Sequence, residues 1–165
     1  MLSNSLQKAI NEQINKEFYS SYLYLAMAAH FDAKALPGFA SWMKAQASEE
    51  WSHGMKFYEY LYEVNSSASL TAIAAPPVSF GTPEEIFKTV LDHEREVTAS
   101  IKAIYDMARA ENDPKTELML HWFINEQVEE EKNAQDILDK LKMTGGNSFG
   151  IMFLDQHVLG ARKAD

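Results

Sequence analysis

Glu50 and His53 stand three residues apart in SEEWSH, a spacing that sets a carboxylate and an imidazole on one face of a helix. An oxygen donor beside a nitrogen donor is half of a metal site, and further acids share its register. Sorted by sevens, the helical rows are Ile10, Glu17, Tyr24, Phe31; Met43, Glu50, Phe57, Val64; and Phe39, Gln46, His53, Tyr60. They continue as Phe87, Glu94, Ile101, Ala108; Leu120, Gln127, Ala134, Leu141; and Phe123, Glu130, Ile137. Each row is apolar enough to be a bundle seam, and each is interrupted by a polar group near its middle. Buried together, the carboxylates would repel one another, so they must be protonated or neutralised by cations. A set rich in carboxylate, poor in histidine and free of thiolate suits hard ions, iron or manganese above all.

Four helices must deliver these groups. Leu2 to Phe31 contains no Gly or Pro and reads as one long helix with Ser3 or Asn4 as its cap. Leu36-Pro37-Gly38 forms a short break, after which a second helix runs to about Val64. Residues 65 to 82, with adjacent prolines and Gly81, read as a long extended connection. Thr82-Pro83-Glu84-Glu85 starts the third helix, and Pro114 opens a fourth that stops before Gly145-Gly146. Short breaks make antiparallel neighbours, whereas a long connection can travel the length of a bundle. The expected fold is all-α: an up-down-down-up four-helix bundle over about residues 3–143, with one long crossover and a short C-terminal fifth helix over about 148–160. The whole chain forms one domain. At ~1.5 Å of rise per residue, Glu17 lies ~18 Å above the bundle floor, Gln127 and His53 ~20 Å, and Glu50, Glu94 and Glu130 ~24–26 Å. Six polar groups from four helices thus fall in one slab of the core.

Composition narrows the alternatives. The 165 residues carry 15 Lys and Arg against 24 Asp and Glu, a net charge of -9, which opposes nucleic-acid binding. With no cysteine, disulfides, thiolate zinc sites and iron–sulfur clusters are excluded. The start, MLSNSLQKAINEQ, lacks the basic and apolar regions of a signal peptide, and no apolar run is long enough to span a bilayer. No membrane partner and a cytoplasmic location are the expectation.

Over nearly its whole length the chain resembles a bacterial non-haem ferritin. NEQINKEFYSSYLY around Glu17 and Tyr24, SEEWSH with Glu49, Glu50 and His53, the His-Glu pair ending in Glu94, and HWFINEQVEEEK with Gln127 and Glu130 carry the likeness. The resemblance implies a 24-subunit hollow cage that oxidises Fe(II) with O2 or H2O2 at a di-iron ferroxidase centre and stores the Fe(III) mineral inside. It implies that Glu17 and His53 bind one iron, that Glu50 bridges both, and that Glu94 and Glu130 hold the second with Gln127 in its outer environment. Tyr24 would hydrogen-bond near the centre and supply an electron. Glu49, Glu126 and Glu129 match the acids of a third iron site towards the cavity. For these three, a solvated helix surface is an equally good reading.

The departures matter too. Ferritin-like di-iron proteins draw a Glu-x-x-His from each of two helices. Here the fourth helix has Gln127-Val128-Glu129-Glu130, so the second pair is missing and one iron has oxygen ligands only; in the family a His often stands where Val128 is, and any role of that His is absent. Such an iron should be a transient substrate passing to the cavity. Trp51 occupies the place of the haem-ligating Met of bacterioferritins, so no haem is expected. Trp122 reads as packing, Glu131 as surface, and His30, His93, His121 and His157 as structural or surface residues. Glu117 fits an iron access channel by family position and a helix-start acid by its dipole alone. The apolar C-terminal segment, with Phe149, Met152, Phe153, Leu154 and Val158, is expected to dock on other subunits. Two further functions compete: a di-iron oxidase or peroxidase without mineral storage, and a DNA-protecting helical module. The missing second Glu-x-x-His weighs against the first, and the negative charge against the second.

Overall fold

Ser3 turns the chain into its first helix: its hydroxyl accepts the Leu6 amide at 3.1 Å, satisfying a donor that a helix start leaves unpaired. The computed structural model describes residues 2–161. Its elements are α1 Asn4–Ala33, α2 Pro37–Glu63, α3 Pro83–Ala110, α4 Pro114–Thr144 and α5 Ser148–His157, then one 3-10 turn over Leu159–Ala161. Thr82 and Glu85 close a reciprocal capping box on α3, at 3.3 Å and 2.7 Å. Asp113 caps α4 ahead of Pro114, and Gly145 ends that helix in the left-handed region (φ 56) that glycine adopts without strain. The first break is displaced from its expected place. It spans Lys34 to Leu36, and Pro37 and Gly38 belong to α2, because proline at the first helical position loses no hydrogen bond.

Side-chain pairs fix the directions. Ser5 bonds Glu111, Lys16 bonds Ser100 and Ser20 bonds His93, so α1 and α3 run antiparallel. Tyr60 with Thr116 and Gln46 with Glu130 set α2 antiparallel to α4. The result is the expected up-down-down-up bundle. The crossover climbs α1 in that helix's own direction, held by amides spaced four residues apart. Gln7 donates to the Ser67 carbonyl at 3.1 Å, Asn11 accepts the Ser69 amide at 2.6 Å, and Asn15 donates to Thr71 at 2.9 Å. These side chains replace the ladder partners that an extended segment lacks.

The core comes in two apolar clusters. One, with Met27, Phe31, Phe39, Met43, Phe87 and Leu141, fills the end that carries α5; the other, with Leu6, Ile10, Phe57, Leu61, Ile101 and Leu120, fills the opposite end. Each fully buried side chain of this size stabilises the fold by roughly 1.5–3 kcal/mol. Between the clusters lies the polar slab.

Part of the C-terminal segment docks on its own bundle. The Asp155 carboxylate accepts the Phe39 amide at 2.9 Å, capping α2 from α5, and Leu154 and Leu159 are buried. Phe149, Met152 and Phe153 remain 79%, 53% and 52% exposed on the other face. The segment therefore serves both its own bundle and an outer surface, because the start of α2 leaves amides that need an acceptor.

Gly38 makes that docking possible, since a Cβ there would lie 1.8 Å from the Asp155 carbonyl oxygen. Backbone atoms cannot yield as a flexible side chain does. Gly38→Ala should cost about 1–3 kcal/mol, the usual range for overpacking. Thermal denaturation checks this, with an unchanged midpoint as the contrary result.

Candidate metal centre

Glu17, Glu50, His53, Glu94, Gln127 and Glu130 are each no more than 4% exposed, and they meet in the slab between the apolar clusters. Helix α1 presents Glu17 and Tyr24, α2 presents Glu50 and His53, α3 presents Glu94, and α4 presents Gln127 and Glu130. Three groups of ligand atoms lie within 4.8 Å of one another: Glu17 with Glu50 and His53, Glu50 with Glu94 and Glu130, and His53 with Glu126 and Glu130. Glu50 belongs to the first two groups, and His53 and Glu130 each tie the third to one of them. The three form one closed cluster of oxygen-rich positions, each sharing a residue with the other two.

Neutral donors brace the acids. Gln13 donates to Glu17 Oε1 at 2.8 Å, and Gln46 donates to Glu50 Oε1 at 2.9 Å and to Glu130 Oε2 at 2.8 Å. The Tyr24 hydroxyl donates to Glu94 Oε1, and the Gln127 amide donates to Glu94 Oε2 at 3.2 Å. His53 Nδ1 lies 3.4 Å from Glu50 Oε2. Glu17 Oε2 is buried with no hydrogen-bond partner. A buried carboxylate oxygen facing other acids without a donor is what a cation satisfies. The donor set fits iron: many carboxylate oxygens, one imidazole and no sulfur.

Electrostatics point the same way. Burial pushes the Glu17 carboxyl well above its usual range, and the charge of Glu50 adds to the push. Burial does the same to Glu50, followed by Glu94 and Glu130. Glu130 is pushed up to about 8, by burial first and the Glu94 charge second. The Tyr24 phenol is also raised, by burial and then by Glu94, so it stays protonated and able to donate.

Not every candidate from the sequence enters these groups. Glu126 is half-buried beside His53, with its Oε1 3.9 Å from Nε2. Glu129 is exposed, and Glu49 is half-buried in none of the three groups, although its charge reaches Glu130. On a helix, Glu126 and Glu130 differ by about 40° and Glu126 and Glu129 by about 60° to the other side. The four-residue pair therefore shares the inward face. Trp122 packs edge-on against His53 at 5.5 Å, beneath the Lys56 ammonium at 4.1 Å. His93 is half-buried against Tyr24 and bonds Ser20 at 2.7 Å, as a packing residue does. Gln13 and Gln46 carry no role in the sequence pattern. Their signal is a Gln four residues before a core-row Glu, found on both α1 and α2.

The family model for the ferritin-like domain matches residues 7–144. The chain belongs to the ferritin family. Its relatives include a bacterial non-heme ferritin of Bacteroides fragilis (strain 638R), 44% identical over 162 residues, covering 98% of this chain and 100% of that one. Another, from Staphylococcus aureus (strain USA300), is 38% identical over 165 residues, covering 100% of this chain and 99% of the relative. Among solved structures, an open-pore ferritin from the archaeon Archaeoglobus fulgidus superposes with a TM-score of 0.97 at 40% identity, over 99% of each chain. An engineered closed form of that ferritin gives 0.97 at 39% identity, over 100% of each. The family and the bundle expected from the sequence are therefore those found, across the whole chain.

Raised carboxyls make a prediction about the metal-free ferritin. Between its ordinary value of 4.5 and about 8, Glu130 holds a proton in the folded state that the unfolded chain releases. The stability it contributes is complete below pH 4.5 and is lost as pH rises towards 8. His93, whose pKa burial lowers from 6.5, opposes this only below pH 6.5. From pH 6.5 to 8 the metal-free protein should thus lose about 2 kcal/mol through Glu130 alone, with Glu17 and Glu50 adding to it. Glu130→Gln should flatten the slope, measured by denaturant unfolding across that window. A stability that rises with pH there would contradict the account.

Proposed function

We propose that the chain is an iron-storage ferroxidase: it oxidises Fe(II) at the slab centre and keeps the Fe(III) mineral inside a homo-oligomeric cage of 24 subunits. One observation carries this reading, the two carboxylate groups that share Glu50 and lie between four helices. They suit two iron ions held side by side, with Glu17 and His53 on one, Glu94 and Glu130 on the other, and Glu50 between them. Binding displaces the protons that burial keeps on Glu17, Glu50 and Glu130, so uptake should release acid. Two Fe(II) then give one electron each to O2, which takes two protons and leaves as H2O2; with H2O2 as oxidant, the same two electrons and two protons yield two waters. Tyr24 donates its hydroxyl to Glu94 Oε1 and so holds that ligand in place. Gln127 steadies the same acid from α4. The names of the relatives support the storage half of the reading.

The two positions differ. The first has an imidazole; the second has Glu50, Glu94 and Glu130 alone, and fewer strong donors mean weaker retention. Iron at the second position is substrate in transit. The group of His53, Glu126 and Glu130 is a third station on the way out, while Glu49 and Glu129 make an acidic surface beside it. Assembly is supported by two apolar faces: Tyr22, Leu25 and Leu70 on the α1 and crossover side, each about half exposed or more, and the outer face of α5. We infer a cytoplasmic location for the chain; no helix among the described residues is long and apolar enough to cross a membrane.

Gel filtration after adding excess Fe(II) in air tests the storage reading. A large iron load eluting with a very large particle is expected. About two irons per chain would instead mark a fixed di-iron oxidase or peroxidase, and no retained iron would exclude both. Dialysis of protein given two Fe(II) per chain without oxygen tests the asymmetry: one iron should leave well before the other. Equal, tight retention of both would contradict it.

A further inference from the structure

Gln46 sits at the middle of α2, 1% exposed, with its amide nitrogen between two acids. One N–H reaches Glu50 Oε1 at 2.9 Å on its own helix, and the other reaches Glu130 Oε2 at 2.8 Å on α4. We propose that Gln46 is a positioning residue that fixes the separation of Glu50 and Glu130 and so shapes the second metal position more than the first. The inference rests on the metal-centre reading above and deepens it.

The supports of the acids are unequal. Glu17 has the Gln13 amide, and Glu94 has Tyr24 and Gln127. In the first group Glu50 also faces His53 Nδ1 at 3.4 Å, so that group keeps contacts of its own when Gln46 is removed. In the second group Gln46 contacts two of the three ligands, on different helices. Each carboxylate oxygen has two lone pairs, so a hydrogen bond from the amide leaves room for a cation on the same oxygen. A neutral donor lets the pair of acids approach without adding charge of its own. Without it, the two acids lose the partner they share and are free to move apart, and a cation must spend part of its binding energy drawing them together. Outer partners of this kind typically change metal affinity by roughly 10–100-fold.

Co(II), which is not oxidised by air under mild conditions and whose visible spectrum reports ligand geometry, is the probe. Assembled wild-type protein is titrated calorimetrically and by absorption, beside Gln46→Met, which keeps the volume and loses both donors. The wild type should take up two Co(II) per chain in distinguishable steps. In Gln46→Met the second step should weaken roughly 10–100-fold with an altered visible band, while the first stays within about threefold. Unchanged affinities and spectra would overturn the proposal, as would an equal fall in both steps, the mark of a loosened bundle. If Gln46→Met does not assemble, Gln46→Asn keeps the amide but is one methylene too short to reach both acids, and is read by the same outcomes. Wild-type protein that binds no Co(II) would sink the metal-centre reading itself; wild-type binding with an unaffected variant would sink only the role of Gln46.

Discussion

Four carboxyl groups at one level of a helical bundle, none more than 4% exposed, set the condition that the rest of the molecule must meet. An ion withdrawn from water costs several kcal/mol unless something nearby compensates it. Apolar clusters on both sides of the slab deny these acids the usual remedy of solvent. Protons are one substitute, and the upward push on Glu17, Glu50 and Glu130 records it. Cations are the other. The same burial that makes the ion-free site favour protons also favours a cation in their place, because binding exchanges one compensation for the other.

The surrounding architecture divides the work. The two apolar clusters supply the stability that offsets a polar layer through the middle of the core. The helices are long because the slab needs packed core both above and below it. Neutral donors do the local holding: Gln13, Gln46 and Gln127 are amides and Tyr24 a protonated phenol. A lysine or arginine in any of these places would have neutralised the acids permanently and competed with the metal. Amides restrain the carboxylates and leave their charge for a substrate that must come and go.

Much of this was legible in the sequence because the decisive signal was a violation of pattern. Glu17, Glu50, His53, Glu94 and Glu130 occupy rows that should be apolar, and helix boundaries marked by Ser3, Thr82 and Pro114 were enough to bring them to one height. What stayed hidden depends on contacts between distant segments. The Gln-x-x-x-Glu spacing on α1 and α2 is visible, but that Gln46 also reaches Glu130 follows from the axial register of α2 against α4. The Asp155 cap on Phe39 joins residues 116 apart and has no local signature. Glu126 and Glu129 are equivalent in a motif, whereas a few tens of degrees around α4 put one beside His53 and the other in solvent.

The single imidazole explains how one site can serve storage. A permanent di-iron cofactor needs both ions held against exchange, and ferritin-like proteins of that kind give each iron its own histidine. In this chain Gln127 and Glu130 occupy the first and last places of the second Glu-x-x-His, so an acid stands where the imidazole would be, and Gln127 turns its amide to Glu94. One position is anchored and the next is oxygen-only. Beyond it, Glu126 leads outward through His53 and Glu130. Of the three groups, two share the single imidazole of His53, and only the group of Glu50, Glu94 and Glu130 offers oxygen donors alone. Under the proposed function, that oxygen-only group is where an ion is held least firmly, and half-buried Glu126 is where the connected acids come nearest to solvent.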